Sequence, residues 1–188
     1  MSQNANAQQA RTVTTVDRGK LDLKALTLYA ILLAAGFVLN MTVSKFFSGL
    51  TGGILSPEFI IAAFCLETLI IRPKVGQAAV LGLLAGVVIQ ITASVKGPDL
   101  IAEPVAAVVM ALLVSALSDS KAKGLLPLVG TFIVTFISGI IYAVIFSFLI
   151  MKNPAFVGVM APVVAATGVA NAIIVAALHL PIKKALKL

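Results

Sequence analysis

Charge is what this sequence has least of: 11% of its 188 residues are Asp, Glu, Lys or Arg, against roughly 25% in a soluble globular domain. So few charges cannot cover a water-facing surface of this size, and a soluble fold is excluded. Cysteine is almost missing too. Cys65 stands alone inside an apolar run, which rules out a disulfide framework and makes it a packing residue. His179 is the only histidine, and one histidine with one cysteine provides no metal-ligand set. Neither a metal nor any other cofactor is expected. Near the inner end of the last apolar segment, His179 reads as an interfacial or helix-terminal residue. No Gly-Lys-Ser or Gly-Lys-Thr loop occurs, which excludes ATP hydrolysis by the P-loop route. A Ser-His-acid triad is equally unsupported, and no enzymatic activity is expected.

What the chain has is apolar length. Sixty per cent of the residues are hydrophobic and the mean hydropathy is +1.11. The apolar residues fall in runs of about 18 or more, the length that crosses ~30 Å of hydrocarbon at ~1.5 Å per residue. Backbone polar groups must be paired in lipid, and the runs lack the alternation of barrel strands, so the spans are expected to be helical. The reading is an all-α integral membrane protein with six transmembrane helices at about 25–43, 53–71, 76–94, 100–117, 125–151 and 156–180. Gly, Pro, Asn and Asp punctuate the connections: 48–53 with Pro57, Arg72-Pro73-Lys74, 96–99, 118–124 and 152–154. Residues 1–20 are polar and read as a disordered cytoplasmic tail, with 21–188 as one membrane domain. The basic residues and apolar core are not placed as in a signal peptide, so the first helix is expected to be retained.

The net charge of +7 belongs to topology rather than to nucleic acid, because no basic cluster alternates with stacking aromatics. One side of the expected bundle holds Arg11, Arg18, Lys20, Lys24, Arg72, Lys74, Lys121, Lys123, Lys183, Lys184 and Lys187; the other holds only Lys45, Lys96 and Lys152. Cytoplasmic loops keep the positive excess. Eleven against three therefore places both termini in the cytoplasm.

Ionisable groups in membrane spans are costly and tend to face a cavity or a partner. Glu58, Asp99 and Glu103 map near the outer face, at the level of Lys45, Lys96 and Lys152. This mixed set suits a polar or zwitterionic small molecule; the alternative is a set of headgroup-level charges that snorkel or pair with one another. Glu67 and Asp119 fall close to Arg72 and to Lys121 and Lys123, and read as structural. Among the deeper polar residues, Gln90, Thr92, Thr131, Thr135 and Ser138 included, Asn40 and Asn171 are the preferred ligand candidates. Interhelical hydrogen bonding is their commoner use. The candidate substrate-binding residues are thus Asn40, Glu58, Lys96, Asp99, Glu103 and Asn171, with Phe46, Phe47 or Phe59 enclosing an apolar body.

Small residues four apart permit close helix approach, and they occur at Ala30 and Ala34 and again at Gly82 and Gly86. Internal packing is the default use. The Ala-Ile-Leu-Leu-Ala of residues 30–34, in the first of six expected spans of a chain under 200 residues, resembles the S components of energy-coupling factor (ECF) transporters. Pro57-Glu58-Phe59 and the stretch 82–104 are faintly similar to tryptophan-type members. The resemblance implies a substrate-binding subunit in a prokaryotic plasma membrane that takes up a vitamin-like compound or an aromatic amino acid such as tryptophan. It also implies partners: a transmembrane coupling subunit, docked through Ala30 and Ala34, and two cytoplasmic ATPase subunits. The ligand would lie near the outer face, under the glycine-rich loop 46–57. Two other classes stay open, a self-sufficient secondary transporter and, with less support, a membrane-embedded enzyme.

Overall fold

The computed structural model describes residues 21–187, and the expected tail 1–20, with Arg11, Arg18 and Lys20, lies outside them. The described residues form six helices and no strand. We number them α1 (Leu23–Leu50), α2 (Phe59–Ile71), α3 (Val75–Thr92), α4 (Asp99–Leu117), α5 (Lys121–Ile150) and α6 (Phe156–Ala185). All but α2 are long and apolar enough to cross a membrane. The Asp22 carboxylate caps α1 by accepting from the Ala25 N–H at 2.8 Å. Wider π turns interrupt α1 at Asn40–Ser44 and α5 at Leu126–Gly130 and Phe146–Ile150.

The second helix departs from the expected span of 53–71. It has 13 residues, which rise only about 20 Å. Gly52 and Gly53 have φ of 63° and 88°, a left-handed backbone that ends α1 and holds the chain in a turn. Pro57 then disfavours helix at the residue before it. Helix therefore begins only at Phe59, and the irregular residues 55–58 cover at most about 14 Å of the remaining depth. The other differences lie at helix ends. α1 runs on to Leu50, into the loop expected from 46, and α6 runs through Pro181 to Ala185.

This short helix is the centre of the molecule. Every residue from Ile60 to Ile71 is buried, and α2 touches all five other helices. An apolar surface on all sides fits an element enclosed by protein. α1 packs chiefly on α2 and only lightly on α3, with the Tyr29 hydroxyl donating to the Leu81 carbonyl at 2.6 Å across the gap. Three buried residues, Ala25, Tyr29 and Gly36, make up its inward stripe from 23 to 39. Gly36 lets α1 close onto the first residues of α2, since a Cβ there would stand 2.8 Å from the Phe59 carbonyl oxygen.

α3 and α4 approach within backbone contact. A Cβ on Gly82 would lie 2.5 Å from the Glu103 carbonyl oxygen, and one on Gly86 would lie 2.7 Å from that of Asp99. Both glycines are therefore spent inside the fold. Replacing Gly82 with Ala should destabilise the protein by about 1–3 kcal/mol, because overpacking against a neighbouring backbone outweighs the gain in helix propensity. Gly76→Ala, where nothing stands near the new methyl, should be neutral or stabilising by up to about 1 kcal/mol. Thermal unfolding of the two variants in detergent checks the contrast.

Candidate functional site

A helix that begins inside a bundle leaves its first N–H groups without intrahelical partners. Two asparagines answer this for α2. The Phe59 N–H donates to Asn40 Oδ1 at 2.7 Å, and Asn40 Nδ2 donates to Glu58 Oε2 at 2.7 Å. On the other flank the Glu58 N–H donates to Asn171 Oδ1 at 2.9 Å, while Asn171 Nδ2 donates back to the Glu58 carbonyl at 3.1 Å and lies 3.3 Å from Thr135 Oγ1. One side-chain amide thus pairs with both polar groups of a single residue, as a neighbouring strand would. Asn40 opens the first π turn of α1, and such turns re-aim side chains out of the regular helical register.

Above this clamp lies a cavity of about 380 Å³, within the range of small-molecule sites. Its lining takes in Ser56 of the connection 51–58 and Ala93 and Ser94 of the connection 93–98. Its wall combines Asn40, Met41, Ser44 and Lys45 of α1, Glu58 and Ile61, Ile89 of α3, Asp99 and Glu103 of α4, a face of α5, and the first half of α6. The α5 face reads Thr135, Ser138, Gly139 and Tyr142. Thr131, one turn before it, is also buried, so α5 presents one polar stripe inward.

Each acid is held by a neutral donor. Gln90 Nε2 donates to Asp99 Oδ2 at 3.2 Å, and Gln90 Oε1 accepts from the Gly97 N–H at 2.8 Å, which ties the loop after α3 to the start of α4. The Ser138 hydroxyl donates to Glu103 Oε1 at 2.8 Å. Glu103 is 2% exposed, and its Oε2 has no hydrogen-bond partner. Among the described residues, no group of three or more His, Cys, Asp or Glu side chains is placed to hold a metal ion.

Of the six residues singled out in the sequence, Asn40, Glu58, Asp99 and Glu103 line this cavity. Asn171 is fully buried and forms part of the clamp rather than the wall. Lys96 is exposed and donates to the Gln90 carbonyl; the cation on the wall is Lys45. The phenylalanines expected to enclose a ligand do not line the cavity. Phe46 and Phe47 point away, 62% and 38% exposed, and the apolar surface comes from Ile61, Ile89, Met160, Val163 and Val164, with Tyr142 as the aromatic. Tyr142 escaped the sequence reading, although Thr131, Thr135, Ser138 and Tyr142 recur at spacings of four, three and four. That helical period marks one face.

Glu67 lies deeper in α2. It is fully buried and neither of its oxygens has a hydrogen-bond partner, whereas Arg72, its sequence neighbour, is exposed. Ala30 and Ala34 lie on the exposed face of α1 with Ile31 and Val38. No family model, curated protein or solved structure matches the chain. Removing the Asn171 amide by Asn171→Ala would leave the Glu58 N–H and carbonyl unpaired in the bundle. The expected cost is about 1–3 kcal/mol of stability, read as a lowered unfolding temperature, with Asn171→Gln failing to restore it because the longer side chain misplaces the amide.

Proposed function

We propose that the chain is the substrate-binding subunit, the S component, of an ECF-type importer in a prokaryotic plasma membrane. It captures a small vitamin-like or amino-acid substrate at the outer face and is not itself an enzyme. The observation that carries this reading is the cavity at one end of the bundle. It has the size of a metabolite and gathers nearly all of the bundle's membrane-embedded acids on an apolar wall. Both termini are cytoplasmic on this reading. The cavity end bears only Lys45, Lys96 and Lys152, and the opposite end bears eight of the described Lys and Arg residues, from Lys24 to Lys187.

Support for a partner comes from α1. The most hydrophobic stretch of Leu23–Leu50 is 11% buried, the least of the five long helices. Its small residues Ala30 and Ala34 are not used in internal packing, unlike Gly82 and Gly86. Small side chains one turn apart suit close approach of a second membrane helix. The occupant on this reading is a transmembrane coupling subunit driven by two cytoplasmic ATPases, which supply the ATP chemistry that this sequence lacks.

A second reading, a self-sufficient secondary transporter, draws on α2. Interrupted helices and buried acids such as Glu67 belong to that class. Uptake by cells that contain this chain but no coupling subunit would favour it.

Ala30→Trp or Ala34→Trp should abolish uptake in intact cells while the purified protein still binds substrate. Loss of binding instead would assign both alanines to the ligand site or to internal packing. Orientation is checked with Ala122→Cys in a Cys65→Ala background: an impermeant thiol reagent added to intact cells should leave it unlabelled, and labelling would invert the topology.

A further inference from the structure

The acids of the cavity outnumber its cations, and the manner in which they are held shows what is missing. Glu58, Asp99 and Glu103 face a wall on which Lys45 is the one basic residue. Their protein donors are the Asn40 amide, the Gln90 amide and the Ser138 hydroxyl. Neutral donors fix where a carboxyl points without cancelling its charge. Lys96, the other lysine nearby, is engaged with the Gln90 carbonyl. Glu103 Oε2 remains without a partner in a residue 2% exposed. A buried oxygen in that state costs free energy until a donor arrives, and in an acid-rich pocket the favoured donor is cationic.

Exposure orders the site in depth. Lys45 is exposed and stands at the rim, Asp99 is 7% exposed, and Glu103 lies deepest of the three. The intervening wall is apolar, with Ile61, Ile89 and Val164. We infer that the ligand is an organic amine that enters nitrogen-first: its ammonium sits against Glu103, its apolar body lies along the aliphatic wall, and any carboxylate it carries meets Lys45 at the rim. The amine is required and the carboxylate is optional. This rests on the binding-subunit reading and narrows its substrate class to amines and amino acids, excluding purely anionic compounds.

The test uses the full chain in lipid nanodiscs and follows thermal unfolding and calorimetric affinity. The probes are the twenty amino acids, the amines that lack their carboxylate, the acids that lack their amine, and the water-soluble vitamins. Amines and amino acids of one side-chain type should bind, and the matching amine-free acid should not. Glu103→Gln should weaken both roughly ten- to a hundredfold. Lys45→Gln, at an exposed position that the fold does not need, should weaken the amino acid and leave the matching amine unchanged. It decides the matter if Glu103→Gln does not fold. Binding of amine-free acids as tight as that of their amino acids overturns the inference and leaves the binding reading intact. So does an equal loss of amine and amino acid in Lys45→Gln, or stabilisation by sodium or potassium ions alone that matches the amines. If no probe binds the wild-type chain, the binding reading falls, and the inference with it.

Discussion

The structure depends on one constraint: in lipid, the first peptide groups of a helix that starts inside the bundle must be bonded to something. α2 starts there because Gly52, Gly53 and Pro57 keep the preceding residues out of helix. Its opening groups at Glu58 and Phe59 are taken up by Asn40 and Asn171. Those asparagines come from α1 and α6, and Asn171 also reaches Thr135 of α5. The cost of interrupting α2 is therefore met by side chains that fix three other helices around it. The cavity adjoins the start of α2, where Glu58 and Ile61 belong to its wall.

The same sequence pattern serves two purposes in this chain. Gly82 and Gly86 bring α3 within backbone contact of Asp99 and Glu103, and so help to set the acids of α4 beside the cavity. Ala30 and Ala34 have equal spacing but lie on the face of α1 that no described helix covers. Nothing in the spacing separates the two cases. The separation comes from the neighbours: α1 is committed to α2 through Ala25, Tyr29 and Gly36, and one stripe of a helix cannot pack in two directions.

Helix content and the five long spans were legible because each is a long apolar run with breakers at its ends. The length of α2 was not. A run of apolar residues from 53 to 71 satisfies a window average whether or not it is helical throughout, and only the backbone at Gly52 and Gly53 and the restriction before Pro57 decide where the helix begins. Asn40, Glu58, Asp99 and Glu103 stand out in the sequence because a carboxyl or amide in hydrocarbon needs a reason to be there, and all four line the cavity. Asn171 illustrates the limit of that argument, since serving the protein's own backbone and serving a ligand leave the same trace in sequence. Lys96 and Lys45 map to the same level, and only the turn at Gly97 and the π turn at Asn40 settle which lysine reaches the cavity.

The division of charge between the two halves of the bundle bears on how such a protein works. Glu58, Asp99 and Glu103 crowd one half, while the path from the cavity floor to the opposite end is filled by α2, whose residues from Ile60 to Ile71 are all buried, most of those up to Leu69 packing with Tyr29, Leu81 and Met110 and the last two with Ala25. A ligand large enough to use the cavity cannot traverse that core unless α2 unpacks. Each large side chain displaced from such a core forfeits about 2–5 kcal/mol, by the scale of truncations in soluble cores. Several would have to move together, at a cost of the same order as the about 8 to 12 kcal/mol that binding of a small metabolite provides at ordinary affinities. On the proposed reading, passage of the ligand therefore draws on work done by another protein. On that same reading, the uncovered face of α1, beside the helix that fills the path, is the surface through which the work would be delivered.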